Sequence, residues 1–232
     1  MRTKIFCDIA DLNVIKKFSS KKIVKGFTTN PSLIRKAGAK EYKGYCKKIL
    51  KISKNKPVSL EVFADSSSNM IKQAEKLKLL GKNVYIKIPF CNSKGKFTGK
   101  AIRFLNNKNI KLNITAVYTA KQTQQILKKI NKKTKVIISI FAGRMADKGK
   151  DPLPVFKKAI SLTKKYKNIE ILWASTREAY NFIQAKSLKC NIITMPPKII
   201  NQIENFGLSL DKLTKNTVIT FLNDSKKSKF KL

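Results

Sequence analysis

Val84-Tyr85-Ile86-Lys87-Ile88-Pro89 is an apolar run interrupted by a single lysine. Its β-branched and aromatic residues and its closing proline read as a short strand. Lys87 sits differently from most lysines of the chain, which lie in polar stretches. An ammonium withdrawn from water is disfavoured relative to the neutral amine. A neutral amine is a nucleophile and forms a Schiff base with a carbonyl compound. The same run also reads as an edge strand whose lysine points to water and blocks aggregation.

Outward from this run, short apolar stretches alternate with longer amphipathic ones. Strands are predicted at 4–9, 23–27, 58–63, 84–88, 112–116, 136–141, 170–174 and 191–195, with helical patterns such as 69–80, 120–130 and 154–166 between them. In the first of these helices Ile71, Ala74, Leu77 and Leu80 recur near the helical period. Eight strands alternating with helices is the pattern of a parallel sheet. In 232 residues such units fit a compact (β/α)8 TIM barrel better than an open doubly wound sheet. No glycine-rich dinucleotide fingerprint is present. Residues 1–232 read as one domain, without a linker. Residues 39–55 form a long loop or an extra helix between the second and third strands. Residues 205–232 are an appendage, with a C-terminal helix at 209–221 and a lysine-rich tail at 226–231.

Composition narrows the chemistry. A hydrophobic content of 42% is enough for a well-buried core. No run approaches the roughly 18 to 20 apolar residues of a membrane span, and residues 1–6 lead into a strand without an apolar leader. The expectation is a cytoplasmic protein with no membrane partner. Cys7, Cys46, Cys91 and Cys190 are scattered, without disulfide or metal-ligand spacing. The absence of histidine removes the commonest metal ligand and the commonest general base. Serine–histidine and cysteine–histidine mechanisms are therefore excluded. The net charge of +38 invites a nucleic-acid reading. Yet arginine occurs only at Arg2, Arg35, Arg103, Arg144 and Arg177, and bidentate phosphate and base recognition favours arginine. The lysines run from end to end, which fits solvated helix faces better than one binding stripe. No specific nucleic acid is expected as a partner, beyond weak association at low salt.

Barrel enzymes assemble their sites at the C-terminal ends of the strands, and these ends are rich in chemistry. Asp8 ends the first run. Thr28-Thr29-Asn30 follows the second and precedes a helix opened by Pro31. Glu61 lies in the third, Lys87 in the fourth, and Asn113 and Thr115 in the fifth. Ser139 and Arg144 close the sixth, and Ser175 and Arg177 the seventh. With 13 acidic residues in the whole chain, two carboxylates inside apolar runs point to proton transfer. The alternative is a buried carboxylate held by a lysine or by backbone amides. Asn30 also reads as an N-cap, and Asn113 as a satisfied polar group at a strand end. Arg144 and Arg177 read as a phosphate anchor beside Ser175, or as partners of helix carboxylates. Together these groups suit a Schiff-base aldol reaction on a phosphorylated sugar. No metal or cofactor is called for, because an iminium is itself the electron sink.

The motifs resemble those of the transaldolases, in the short-chain branch that includes the related fructose-6-phosphate aldolases. The resemblance runs through Phe6-Cys7-Asp8 with Ala10-Asp11-Leu12, then Thr28-Thr29-Asn30-Pro31-Ser32-Leu33, Glu61-Val62, Lys87-Ile88-Pro89 and Asn113-Ile114-Thr115. It continues in Ser139-Ile140-Phe141-Ala142-Gly143-Arg144 and Ala174-Ser175-Thr176-Arg177. It implies a barrel with Lys87 as the Schiff-base lysine and Asp8 as the base for the C4 hydroxyl. Glu61 would shuttle protons through a water near Thr115. Asn30, Asn113 and Ser139 would hold the dihydroxyacetone hydroxyls, and Arg144, Ser175 and Arg177 the phosphate. The implied reaction moves a three-carbon unit from sedoheptulose 7-phosphate, or fructose 6-phosphate, to an aldose phosphate. Glu61 and Phe141 match the transaldolase pattern, where the aldolases resemble it with glutamine and tyrosine. Fructose-6-phosphate aldolase is the alternative activity, and a basic nucleic-acid-binding or interaction protein on the same barrel is the alternative of another kind. Ile9 and Phe90-Cys91 depart from the family pattern and are expected at the rim of the site. The resemblance also implies a homo-oligomer, a ring of five or a stacked ten, with the C-terminal helix on a neighbouring subunit.

Overall fold

In a computed structural model describing residues 3–228, eight parallel strands close into a barrel in sequence order. The strands are β1 (Lys4–Asp8), β2 (Val24–Thr28), β3 (Val58–Glu61), β4 (Val84–Pro89), β5 (Leu112–Val117), β6 (Val136–Phe141), β7 (Ile169–Ala174) and β8 (Ile192–Met195). Pairing of Lys4 to Ile192 and Cys7 to Met195 closes the ring between β1 and β8. The fold is the (β/α)8 barrel that the alternation predicts.

The connecting helices are α1 (Leu12–Ser19), α2 (Pro31–Lys36), α3 (Tyr42–Ile52), α4 (Ser67–Lys78), α5 (Gly99–Asn107), α6 (Ala120–Leu127), α7 (Ala142–Ala146), α8 (Leu153–Thr163), α9 (Tyr180–Ser187) and α10 (Pro197–Glu204). The starts of α1, α2, α3, α4 and α6 are set by side chains that satisfy free amides of the first turn. Asp11 accepts from Val14 N at 2.9 Å, and Thr119 and Gln122 form a reciprocal capping box at α6. The ambiguous stretch 39–55 resolves as α3, capped by Glu41.

The C-terminal helix, α11 (Leu210–Ser228), runs beyond its predicted end and takes in Lys226 and Lys227. The rest of the predicted tail, 229–231, lies outside the described residues. No residue of α11 is buried; Leu210, Leu213, Val218 and Phe221 are each more than half exposed. Among the described residues no helix is long and apolar enough to cross a membrane.

Alternation along each strand divides the apolar residues into two sets. The larger set lies between strands and helices, where Phe27, Leu60, Ile86, Ile114 and Trp173 are almost fully buried. Trp173 stacks on Phe156 of α8, with ring centroids 4.5 Å apart. The smaller set fills the barrel: Phe6, Tyr85, Ile137, Leu172, Ala174 and Ile192. Gly26 makes room for it, since a Cβ there would stand 2.6 Å from the Phe6 ring. This plug separates two polar mouths, one at each end of the strands.

Candidate active site

On the inward face of β1, Phe6 belongs to the plug and Asp8, two residues on, emerges above it. The same step carries β4 from Tyr85 to Lys87 and β6 from Ile137 to Ser139 and Phe141. Period-two geometry thus delivers the reactive groups from separate strands to one floor. Asp8, Asn30, Lys87, Asn113, Thr115, Ser139, Phe141, Arg144, Ser175 and Arg177 line one cavity of about 190 Å3 at the C-terminal mouth. Glu61 is not in its wall. It stands beside Lys87, as the register of β3 on β4 requires.

Lys87 is buried, and its Nζ lies 3.0 Å from Glu61 Oε2 while donating to Thr29 O at 3.1 Å. The edge-strand reading of Lys87 fails, since β4 is paired on both sides. The backbone carbonyl of Glu61 accepts from Tyr42 Oη at 2.7 Å, so α3 buttresses the end of β3.

Asp8 accepts from Thr28 Oγ1 at 2.7 Å. With Thr28 donating there, Thr194 supplies the proton for the 2.6 Å contact between the two threonine hydroxyls. Burial pushes the Asp8 carboxyl above the usual carboxylate range, against the pull of Lys87 and of the Thr28 hydrogen bond. A base of raised pKa binds its proton more tightly once it has taken it.

Asn113 is fully buried and held at both ends, donating to Ser59 Oγ at 2.9 Å and accepting from Ser139 Oγ at 2.6 Å. Asn30 caps α2, its Oδ1 accepting from Leu33 N at 2.9 Å, and still borders the cavity. Thr115 differs: its buried Oγ1 has no hydrogen-bond partner among the described residues. An orphan hydroxyl in a polar cavity is a place for a water or a substrate oxygen. The backbone just beyond is irregular, with Ala116 in the left-handed region and the β5–β6 register slipping between Ile114 and Val117. Bulges of this kind re-aim side chains beside active sites.

One arginine comes from α7 and the other from the loop after β7, and the two segments are pressed together. A Cβ on Gly143 would lie 1.7 Å from Ser175 O, so only glycine permits this approach. Ser175 itself holds a φ of +62°. Arg177 Nε donates to Asp147 Oδ1 at 3.0 Å and Nη2 to Oδ2 at 2.5 Å. Those hydrogen bonds hold the Asp147 carboxyl below its ordinary range. Arg177 is therefore both a wall of the cavity and a partner of a helix-end carboxylate. Arg144 packs its guanidinium over the Phe141 ring, 5.6 Å from the centroid.

Phe90 does not stand at the rim. It is buried in the outer core and stacks on Phe97 at 4.7 Å. The site residues that the sequence reading missed are Thr28 and Thr194 under Asp8, Ser59 under Asn113, and Asp147 on Arg177. Thr28 lay within a quoted motif, but nothing local marks the others.

The family described as Transaldolase/Fructose-6-phosphate aldolase matches residues 5–232. Among curated proteins, a probable transaldolase of Sulfurihydrogenibium sp. (strain YO3AOP1) is 35% identical over 207 residues, 89% of this chain and 91% of that protein. A probable transaldolase of Nitrosopumilus maritimus is 32% identical over 228 residues, 97% and 96% of the two chains. Among solved structures, a monomeric dihydrodipicolinate synthase variant superimposes with a TM-score of 0.62 at 11% identity, covering 86% of this chain and 70% of that one. The KGPDC of Streptococcus mutans gives 0.57 at 10% identity, covering 85% and 89%. At such identities these structures share the fold alone.

Proposed function

The chain belongs to the transaldolase/fructose-6-phosphate aldolase family, and from that premise we propose that it is a transaldolase working through a Schiff base on Lys87. The observation that carries this reading is a buried amine 3.0 Å from a carboxylate, over the floor that Asp8 shares. Glu61, 3.0 Å away, takes a proton from the Lys87 ammonium, and the freed amine attacks C2 of a ketose phosphate. The carbinolamine loses water as Glu61 returns the proton to the departing hydroxyl, with the Thr115 hydroxyl beside the path. Asp8 then accepts the C4 hydroxyl proton while the C3–C4 bond breaks. An aldose phosphate leaves, and the three-carbon enamine stays on Lys87. Addition to a second aldose phosphate reverses the proton movements, and hydrolysis of the new iminium releases the product ketose.

A cavity of about 190 Å3 encloses a three-carbon fragment, with the rest of the sugar reaching the rim. There Arg144, Arg177 and the Ser175 hydroxyl take the phosphate. Asn30, Asn113 and Ser139 face the fragment's hydroxyls. Phe141 offers no proton at a position where a tyrosine would, which favours keeping the enamine for an acceptor over releasing dihydroxyacetone. Free thiols at all four cysteines fit a reducing, cytoplasmic setting.

We also propose that a second copy of the chain covers the apolar residues of α11, giving a homo-oligomer. An exposed helix carrying Leu210, Leu213, Val218 and Phe221 is the support for this.

The test of the activity is release of glyceraldehyde 3-phosphate from fructose 6-phosphate with and without erythrose 4-phosphate. Release that requires the acceptor is the expected result. Release without it makes the protein a fructose-6-phosphate aldolase, and no release in either condition overturns both.

A further inference from the structure

The N-terminal mouth of the barrel carries a feature that the aldol chemistry does not use. A lysine stands at the first residue of each strand or a few residues before it; Lys82, Lys111 and Lys135 precede β4, β5 and β6. Residues far apart in sequence are thereby gathered at one end, so the even scatter of lysine along the chain is not even in space. A cavity of about 750 Å3 between α3 and the starts of β3 to β6 is lined by five lysines, Lys47, Lys51, Lys82, Lys111 and Lys135. Among the described residues no acidic one lines it.

Two of these lysines share the inward-facing register of their strands with Asn113 and Ile137, and Lys111 is drawn over the Tyr85 ring while donating to Lys82 O. Burial and the nearby Lys135 both pull the Lys111 ammonium below its ordinary range. Like charges held together around a concave wall raise one another's energy, and an anion entering the wall removes that cost.

We infer that this cavity is a binding site for a short oligophosphate anion, separate from the catalytic mouth and independent of the proposed aldol chemistry. Flexible lysines act as point charges and match a chain of phosphates by charge density. Planar bidentate recognition would call for arginine, and none lines the cavity. The aromatic ring at the site, Tyr85, is buried in the barrel plug and carries Lys111 over one face, so it offers no free face for a nucleobase. The phosphate chain itself is what the site reads, whether free or carried on a nucleoside. A duplex nucleic acid is a stiff rod that lies across such a hollow and does not enter it.

The test is titration calorimetry of the full chain with tripolyphosphate, at fixed low ionic strength. Wild type is compared with Lys51→Gln/Lys135→Gln and with Lys157→Gln/Lys158→Gln, a control that removes the same charge from the exposed face of α8. The expected result is a loss of about tenfold or more in affinity for the first variant. The control stays within about twofold, aldol activity is unchanged in both, and ATP binds about as tightly as tripolyphosphate. Equal losses in the two variants reduce the effect to diffuse attraction by net charge and overturn the site. Loss of binding in Arg144→Gln, or orthophosphate binding as tightly as tripolyphosphate, overturns it too, and tighter binding of a duplex oligonucleotide replaces it with a nucleic-acid surface. All four substituted lysines are exposed, so the variants fold.

Discussion

The two mouths of this barrel are built from the same strands and the same residue type, and they differ in what surrounds the lysine. At the C-terminal mouth Lys87 is buried, paired with Glu61 and bonded to a backbone carbonyl. At the N-terminal mouth Lys111 and Lys135 line a hollow without a carboxylate in its wall. The acidic side chain nearby, Glu170, is already held by Lys4 at 2.5 Å. One arrangement fixes a single amine for chemistry, and the other accumulates charge. The plug of Phe6, Tyr85, Ile137, Leu172 and Ile192 between them insulates the first from the second. Lysine content alone therefore says nothing about reactivity; the partner and the burial decide it.

The sharpest way to break this contrast is to remove one lysine from each mouth. Lys87→Ala is expected to lower kcat/KM by about a thousandfold or more, and borohydride with substrate should no longer add mass to the chain. Lys111→Gln should leave turnover within about twofold. Turnover that survives Lys87→Ala removes the Schiff-base mechanism. If Lys111→Gln costs as much, the plug does not insulate. Lys87→Ala also leaves Glu61 half-buried and unpaired, so a melting curve must accompany it.

Asp8→Asn comes next, with an expected loss of about 10²- to 10⁴-fold in kcat. The pH dependence carries the sign. Burial raises the Asp8 pKa, and the base must be ionised. In the wild type kcat/KM should thus fall, as pH drops, from above the ordinary carboxylate range. Stability runs the other way. Between the ordinary carboxylate pKa and the raised one, the folded state keeps a proton that the unfolded chain has released, so rising pH destabilises the fold there. Asp8→Asn should remove both slopes, and an acid limb that stays in place assigns the titration to another group.

Much of this was legible in the sequence because strands write their two faces two residues apart. Lys87 inside Val84–Pro89 and Asp8 beside Cys7 stood out as polar residues where a buried strand wants apolar ones. The barrel followed from counting such runs. What stayed hidden depends on register between distant strands. Thr194 meets Thr28 across 166 positions, and Ser59 meets Asn113 across 54; neither pair leaves a local mark. Arg177 reads in the sequence as a phosphate anchor or as a partner of a helix carboxylate, but that the carboxylate is Asp147 emerges only when α7 and the loop after β7 are seen together. The stretch 39–55 was ambiguous for a local reason, since Gly44 and a run of lysines weaken the helical pattern that Cys46 and Ile49 anchor in the core. Phe90 was placed at the rim by proximity to Lys87 in sequence, but the strand ends at Pro89 and the chain turns outward.

The contact of α7 with the loop after β7 offers a smaller effect on stability. Gly143→Ala drives a methyl into the Ser175 carbonyl at a separation of 1.7 Å, and backbone cannot step aside as a side chain can. A destabilisation of about 1–3 kcal/mol is expected, at the level of overpacked cores. KM for the sugar phosphate should rise more than kcat falls, because Arg144 and Ser175 are displaced while Lys87 is not. Equal changes in both parameters mean that the distortion reaches the amine.

The smallest effect is on the thiols, and it probes how tightly the space between the mouths is closed. Burial pushes Cys46 and Cys190 up to about 12 and raises Cys7 as well. A thiol reagent needs thiolate and access, and Cys7, Cys46 and Cys190 have neither, whereas Cys91 lies partly exposed. In the native protein one thiol should react quickly, with the label on Cys91, and three only as the chain unfolds. Activity should change little, since Cys91 does not line the catalytic cavity. Rapid labelling of Cys7, which precedes Asp8 on β1 and faces the helices, would mean that the barrel wall opens beside the catalytic carboxylate. The raised pKa of Asp8 could not then persist, because water reaching that wall would take away its cause.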